Sequence, residues 1–237
     1  MMKTAWLVMG IALLLGVQTA SAQTTLTGVF SAQVEEDEID DFGGAVDQAF
    51  FNVQGDDDVF TVYSLVDFDT AGIGPAASVS GLTLNLTQSN AGFTADGGLE
   101  FFLASDTRTV DLTDTARYIS DGDNVGAEVV GTAFGTLFSL GASTFTETAS
   151  GDLDSIVLTL DTAGEAFAVS QINSGGLLRI IGTPGDLGVQ ATYSGATSIL
   201  PTPAPPTLDV TVVAIPEPSS LAVLGLFAVA GVCRRRR

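Results

Sequence analysis

Short apolar runs, separated by clusters of turn-forming residues, are the feature of this chain that most restricts its fold. Eight runs rich in Val, Ile, Thr, Phe and Leu begin at residues 24, 58, 78, 98, 154, 176, 187 and 207. Alternation with polar residues, which is typical of strands with one buried face, is clearest in Leu82, Leu84, Leu86 and in Ile156, Leu158, Leu160. The pattern predicts at least eight strands in an all-β, antiparallel β-sandwich of the jelly-roll kind.

Helical periodicity is confined to two segments of the body. One is "TFTETA" near Thr144, and the other is "AGEAFAVSQINSG" from Ala163. The second segment ends in a pair of glycines and predicts one short helix across an end of the sheet.

The N-terminus has the layout of a signal peptide. A basic start at Lys3 precedes an apolar run over residues 6–17, and small residues at Ala20 and Ala22 form a cleavage sequence of the A-x-A kind. We expect a signal-peptide helix that signal peptidase removes after Ala22, so that the body is exported. An uncleaved anchor is the alternative, but the apolar run is short for a membrane span.

The C-terminus repeats this layout in reverse. Two serines and then an apolar stretch over residues 221–233 follow Pro216, Glu217 and Pro218, and four arginines close the chain. As a helix, residues 219–233 would be about 22 Å long, shorter than a hydrocarbon core of about 30 Å. The pattern predicts a marginal, transmembrane-like helix, with a cytoplasmic stop at Arg234, Arg235, Arg236 and Arg237.

The three parts of this tail, "PEPSS", "LAVLGLFAVAGVC" and "RRRR", resemble the PEP-CTERM sorting signal of Gram-negative bacteria. The resemblance implies that an exosortase, a membrane cysteine protease, recognises Pro216–Glu217–Pro218 and cuts nearby. It also implies transient anchoring in the inner membrane and delivery to the cell surface or the extracellular polymer matrix. The expected organisation is a signal peptide at 1–22, an extracellular domain at 23–215 and a sorting signal at 216–237.

The body carries a second resemblance. "TVYSLVDFDTAGIGPAASVSGLTLNLTQ" and "LEFFLASDT", with "GLLRIIGTPGDLGVQATYSG" and "PPTLDVTV" further on, are similar in order to DNRLRE-type domains of bacterial surface proteins. Those domains resemble carbohydrate-binding modules. The resemblance implies a β-sandwich and offers extracellular polysaccharide as a partner.

The charge of the body excludes one class of partner. All but one of the 28 acids lie between residues 23 and 215, where Arg108, Arg117 and Arg179 are the only basic residues, so the net charge there is −24. Such a surface repels phosphate backbones, and nucleic-acid binding is not expected.

The composition also argues against catalysis. The chain has no His, and its one Cys, Cys233, lies in the apolar tail. Nucleophilic systems that rely on imidazole and imidazole zinc sites are therefore absent. A pair of carboxylates could still support glycoside hydrolysis, but the only Trp, Trp6, lies in the predicted signal peptide. We expect no enzymatic activity.

Acidic loops are the only candidates for a cofactor site, and the ion they would suit is calcium. The clusters are Asp121, Asp123 and Asn124, and then Asp56, Asp57 and Asp58. Neither matches an EF-hand loop. The alternative interpretation is that these acidic side chains are solvent-exposed loop residues that aid solubility or reflect saline surroundings. We therefore expect no resident metal.

The sequence thus predicts an exported surface or matrix protein with a structural or adhesive role. A calcium- or carbohydrate-binding module at the same location is the alternative. Exposure of Tyr63, Tyr118 or Tyr193 on a concave sheet face would favour sugar binding. Uniform Ser, Thr and Asp faces would favour the structural role.

Overall fold

Ten strands and two helices make up the part of the chain that the structure describes. The structure is a computed structural model, and it describes residues 20–35, 49–55, 61–89, 94–110, 118, 124–197 and 204–215. The first five strands are β1 (Ser21–Glu35), β2 (Phe50–Gln54), β3 (Val62–Asp69), β4 (Ala76–Thr87) and β5 (Gly97–Ala104). They are followed by α1 (Ala127–Val130), β6 (Leu137–Phe145), β7 (Leu153–Leu158), α2 (Thr162–Ser174), β8 (Leu177–Pro184), β9 (Gln190–Ser194) and β10 (Thr207–Ala214).

The strands form one continuous antiparallel sheet in the order β6-β5-β8-β3-β1-β10-β4-β7. The first part of β1 pairs with β10, and the part from Gly28 onward pairs with β3. We call β7, β4, β10 and the first part of β1 half A, and the second part of β1 with β3, β8, β5 and β6 half B. A ribbon of β2 and β9 joins half B where Gln54 pairs with Val62.

Gly28 lies where β1 passes from one half to the other. The register of β1 against β3 shifts between Gly28 and Phe30, and the Gly28 N–H donates to the Pro206 carbonyl at 2.8 Å. A β-carbon at this position would lie 2.9 Å from a methyl group of Val66. Glycine therefore lets the strand bend between the two halves without a clash.

The main core lies between the two halves. Leu82, Leu84 and Leu86 of β4 are buried as their alternation predicts, and they belong to the same apolar cluster as Phe68 and Phe101 of half B. The matching residues of β7, Ile156 and Leu158, are buried as well, while Leu160 is partly buried against the cluster. Half A thus buries one face and leaves the other to solvent.

The middle strands of half B, β3 and β8, are buried on both faces. A second apolar cluster joins Tyr63 and Leu65 of β3 to Val129, Val130 and Phe134, which lie between β5 and β6 in sequence. Every residue of β3 except Asp69 is buried. This double burial explains why β3 and β8 have nearly continuous apolar sequences rather than alternating ones.

Helix α2 closes one end of the core, as predicted from Ala163 onward. The Asp161 carboxylate accepts a hydrogen bond from the Gly164 N–H at 2.6 Å and so caps the N-terminus. Gly175, at φ 64°, ends the helix in a Schellman arrangement. Ala168 and Ile172 form the buried stripe that packs on the core.

The predicted antiparallel all-β class is confirmed, with three corrections to its details. The two expected sheets are halves of one nearly closed, barrel-like sheet, because β1 belongs to both. Strands β2 and β6 were not predicted, and the helical interpretation near Thr144 is wrong because Thr144 lies in β6. Gly141, at φ 104°, sits at a bulge of β6 opposite Phe101 and Phe102, which disturbs the alternation that would have revealed this strand.

Among the residues with described positions, no helix is both long and apolar enough to cross a membrane. The predicted transmembrane-like helix over 219–233 lies outside the described residues, so the structure gives it no support. Most of the predicted signal-peptide helix also lies outside them. Its last two residues, Ser21 and Ala22, belong to β1 and are extended.

Candidate functional site

The two processing signals differ in what the structure describes of them. Ala20 is exposed just before β1, and Ala22 is exposed as the second residue of that strand. The sorting residues Pro216, Glu217 and Pro218 and the terminal arginines 234–237 lie outside the described residues. The first and last strands of the described body lie side by side, because Ser21 pairs with Val213 near the end of β10.

The candidate calcium loops fall almost wholly outside the described residues. This applies to Asp56, Asp57, Asp58, Asp121 and Asp123, while Asn124 alone is described. Within the described ranges, no three His, Cys, Asp or Glu side chains are grouped closely enough to hold a metal ion. Calcium binding therefore stays a prediction.

The three tyrosines are buried, with exposures of 0% for Tyr63, 3% for Tyr118 and 1% for Tyr193. The Tyr63 hydroxyl donates to the Tyr118 carbonyl at 2.6 Å, and the Tyr118 ring stacks on Phe134. The Tyr193 hydroxyl donates to the Asp154 carboxylate at 2.9 Å. Burial is the largest cause that raises the pKa of Tyr63 and of Tyr193. These rings are core residues and offer no platform for sugar stacking.

The solvent-facing side of half A, which we call the outer face, is lined with small polar side chains. Cross-strand pairing sets Thr25 beside Asp209, Asp209 beside Thr83, and Asn85 beside Ser155. Thr27, Thr207 and Thr211 continue these rows. Every second residue of β1, β10 and β4 points to this face because the alternate residues fill the core.

A hydrogen-bonded chain crosses all four strands of the outer face. The Thr25 hydroxyl donates to Asp209 Oδ1 at 2.5 Å, and Asn85 Nδ2 donates to Asp209 Oδ2 at 3.1 Å. The Ser155 hydroxyl donates to Asn85 Oδ1 at 2.8 Å. Each member holds its neighbour in one orientation, so the face presents a regular array of hydroxyl, amide and carboxylate groups.

An open groove of about 350 Å³ lies on this face beside the first turn of α2. Its lining includes Gln23, Thr83, Thr211, Asp209, Glu165 and Val157. Gly81 is part of the lining without a side chain, and its nearest neighbour for a β-carbon would be Thr211 at 3.6 Å. The groove combines hydrogen-bonding groups with apolar side chains, and its two carboxylates disfavour anionic ligands.

One buried ion pair had not been predicted. Arg179 of β8 donates from Nε and Nη2 to the two carboxylate oxygens of Asp67 on β3, both at 2.8 Å. Arg179 Nη1 donates to the Asp106 carbonyl at 3.0 Å, and the guanidinium lies 5.3 Å from the Phe134 ring centre. With all of these partners inside the protein, the pair holds the fold together and offers no charge to a ligand. In the sequence, the sign that could have indicated this buried pair is the single Arg within the apolar run "GLLRIIG".

The comparison with protein families concerns the tail. Residues 214–237 match the family model described as the PEP-CTERM protein-sorting motif. The match starts at the last residue of β10 and includes Pro216–Pro218 and the terminal arginines. No curated protein matches the chain. The chain thus carries a PEP-CTERM protein-sorting motif, which indicates an exported, cell-surface-targeted protein that an exosortase processes.

Proposed function

We propose that the body is a structural and adhesive component of the polymer layer outside a Gram-negative-type cell. The observation that carries this proposal is the outer face of half A. It is an ordered array of Thr, Ser, Asn and Asp side chains, and the tyrosines that would mark a sugar-stacking site lie in the core.

The chemistry of this face suits contact with a hydrated polymer. Hydroxyl and amide groups donate and accept hydrogen bonds directly or through water, and many weak contacts add up along a chain molecule. The net charge of −24 keeps copies of the body apart, so that contact with the polymer is favoured over collapse of copies onto one another.

Retention at the cell surface tests the role of the face. Thr83→Lys places a charge in the middle of the array, and Thr144→Lys makes the same change at an exposed position of β6. We expect the first variant to be washed from the surface more readily than the wild type and the second to be retained. Equal retention of all three chains would show that the outer face is not the contact surface.

Glycan binding in the groove is the second candidate function. It is supported by the groove itself, where carboxylate, amide and hydroxyl groups share the lining with the exposed apolar side chain of Val157. Sugar hydroxyls would bind the polar groups, and a sugar ring face would pack on the valine. Because Asp209 and Glu165 repel anions, the ligand class is an uncharged glycan.

Two glycine variants test this candidate on a glycan array, with and without calcium. Gly81→Thr fits a strand and fills the groove, since the nearest neighbour of its β-carbon is 3.6 Å away. Gly74→Thr is the matched control, because no atom lies within 4 Å of its β-carbon. Loss of binding to uncharged glycans in the first variant alone supports the site. Absence of binding by the wild type would leave the structural role as the only candidate.

We further propose that the tail anchors the precursor in the inner membrane until the exosortase cuts it, and that the body has no catalytic role. The support for the second part is compositional, since the body has no His, Cys or Lys. Turnover of a polysaccharide by the wild type, lost on replacement of one Asp or Glu, would refute it.

A further inference from the structure

The predicted signal-peptidase site is built into the folded body, directly beside the start of the sorting motif. Ser21 pairs with Val213, and Ala22 pairs with Val212. The Ala214 N–H donates to the Ala20 carbonyl at 3.0 Å. Since bonded pairs alternate along an antiparallel ladder, the N–H of Val212 faces Ala22.

These contacts cover one backbone edge of β10 just ahead of Pro216. The opposite edge is held by β4, where Val212 pairs with Val79 and Ala214 with Ala76. The Ile215 N–H donates to the Pro75 carbonyl at 3.1 Å. Residues 212–214 are therefore enclosed on both sides while residues 20–22 remain attached.

Removal of Met1–Ala22 changes one side only. The body then begins at Gln23, which pairs with Thr211, and the three residues after Thr211 lose their partner in β1. Their contacts with β4 remain. The result is a short open strand edge of the kind to which an extended partner adds by backbone hydrogen bonds.

Chain order leaves time for the first cut before this edge is covered. About 190 residues separate the cleavage site from the end of β10. At about 5–20 residues per second, synthesis of that stretch takes roughly 10–40 s. During this interval residues 20–22 have no β10 partner and are open to signal peptidase.

We propose that these contacts impose an order on maturation, in which signal-peptide removal comes first and so leaves open the 212–214 edge, on which the exosortase binds the chain. The inference rests on the export and sorting described above. Each cut breaks one amide bond, and water supplies the hydroxyl group to the carbonyl carbon and a proton to the nitrogen.

The experiment follows both ends of the full chain by mass spectrometry in cells that contain the exosortase. Ala22→Leu removes the small residue that signal peptidase requires and keeps the strand pairing. We expect the fraction of chains without the tail to fall about tenfold or more. A few backbone hydrogen bonds that must break before the exosortase can bind would give protection of this size. Tail removal at the wild-type rate in this variant would overturn the proposal.

A second change separates strand pairing from mere retention in the membrane. Val212→Pro, added to Ala22→Leu, removes the N–H that faces β1, and tail removal should recover. Val213→Pro is the matched control at the neighbouring residue, whose N–H faces β4, and it should not restore the cut. Recovery in neither double variant would show that pairing with β1 is not what protects the tail.

Pulse labelling of the wild type gives a test that requires no variant. Chains without the signal peptide but with the tail should appear first, and chains that keep Met1 but lack the tail should be absent. The appearance of the second species refutes the order. A wild type that loses its signal peptide and keeps its tail throughout would instead refute exosortase processing itself.

Discussion

Loss of the Asp67 carboxylate should be among the most destabilising single changes in the body. Asp67→Ala leaves the Arg179 guanidinium, whose side chain is 2% exposed, without its bidentate partner. Only the bond to the Asp106 carbonyl and the contact with Phe134 would remain. Breaking a buried pair in this way costs about 3–5 kcal/mol.

That cost is large against the whole stability of such a domain, which is typically about 5–15 kcal/mol. At about 2–4 °C per kcal/mol for a chain of this size, the melting temperature should fall by roughly 6–20 °C. Urea and thermal unfolding of the processed protein would measure it. Tyrosine fluorescence is a clean probe, because the only Trp is Trp6 in the predicted signal peptide.

Two further variants test whether the unpaired Arg179 charge causes this loss of stability. Asp69→Ala, at an exposed position on the same strand, removes one hydrogen bond from the Ala71 N–H and should cost no more than about 1 kcal/mol. Asp67→Leu combined with Arg179→Met leaves no unpaired charge and should be more stable than Asp67→Ala. If Asp67→Ala lost no more than the Asp69 control, with an unchanged urea slope, the pair would not be the buried anchor described here.

Three other predictions concern pH, ions and processing. Burial in the folded state raises the pKa of Tyr63 and Tyr193 above the usual 10, so their neutral forms stabilise the protein below pH 10. As the pH rises above 10, each tyrosine should lower the free energy of unfolding by about 1.4 kcal/mol per pH unit. Tyrosinate absorbance should then rise together with loss of the far-ultraviolet signal, whereas ionisation near pH 10 in an intact fold would contradict the burial. Monovalent salt should raise the melting temperature by screening the acids, and millimolar calcium should exceed magnesium at equal ionic strength only if the Asp121 loop is a calcium site. Mass spectrometry of surface material should find neither Met1–Ala22 nor the residues beyond the Pro216 region, and Arg237 still attached would refute processing.

Local patterns were sufficient for the class of the fold and for the sorting motif at the C-terminal end. The alternation at Leu82–Leu86 predicted a strand with one buried face because periodicity depends only on neighbours along the chain. Helix α2 was predicted for the same reason, from its period and its terminal glycines. The sorting motif is a linear signal and needs no folded partner to be recognised.

Local patterns failed where a distant segment decides the environment. Strand β3 lacks alternation because residues between β5 and β6 cover its second face, and no residue within β3 indicates that this cover exists. The sequence does not tell whether an aromatic residue lies at the surface or in the core until both faces of the sheet are known, and this applies to Tyr63, Tyr118 and Tyr193. Strand β6 was missed because a bulge at Gly141 breaks its period.

The sequence by itself determined that the chain carries a sorting signal, that its body is antiparallel β, and that this body contains no His, Cys or Lys. These conclusions follow from residue types and from spacings of a few positions. Tertiary structure alone decided that β1 joins both halves, that Asp67 meets Arg179 across 112 positions, and that Ala22 lies beside Val212 next to the sorting motif. Such contacts depend on which strands become neighbours, and strand pairing is settled by burial of the whole core rather than by any single segment.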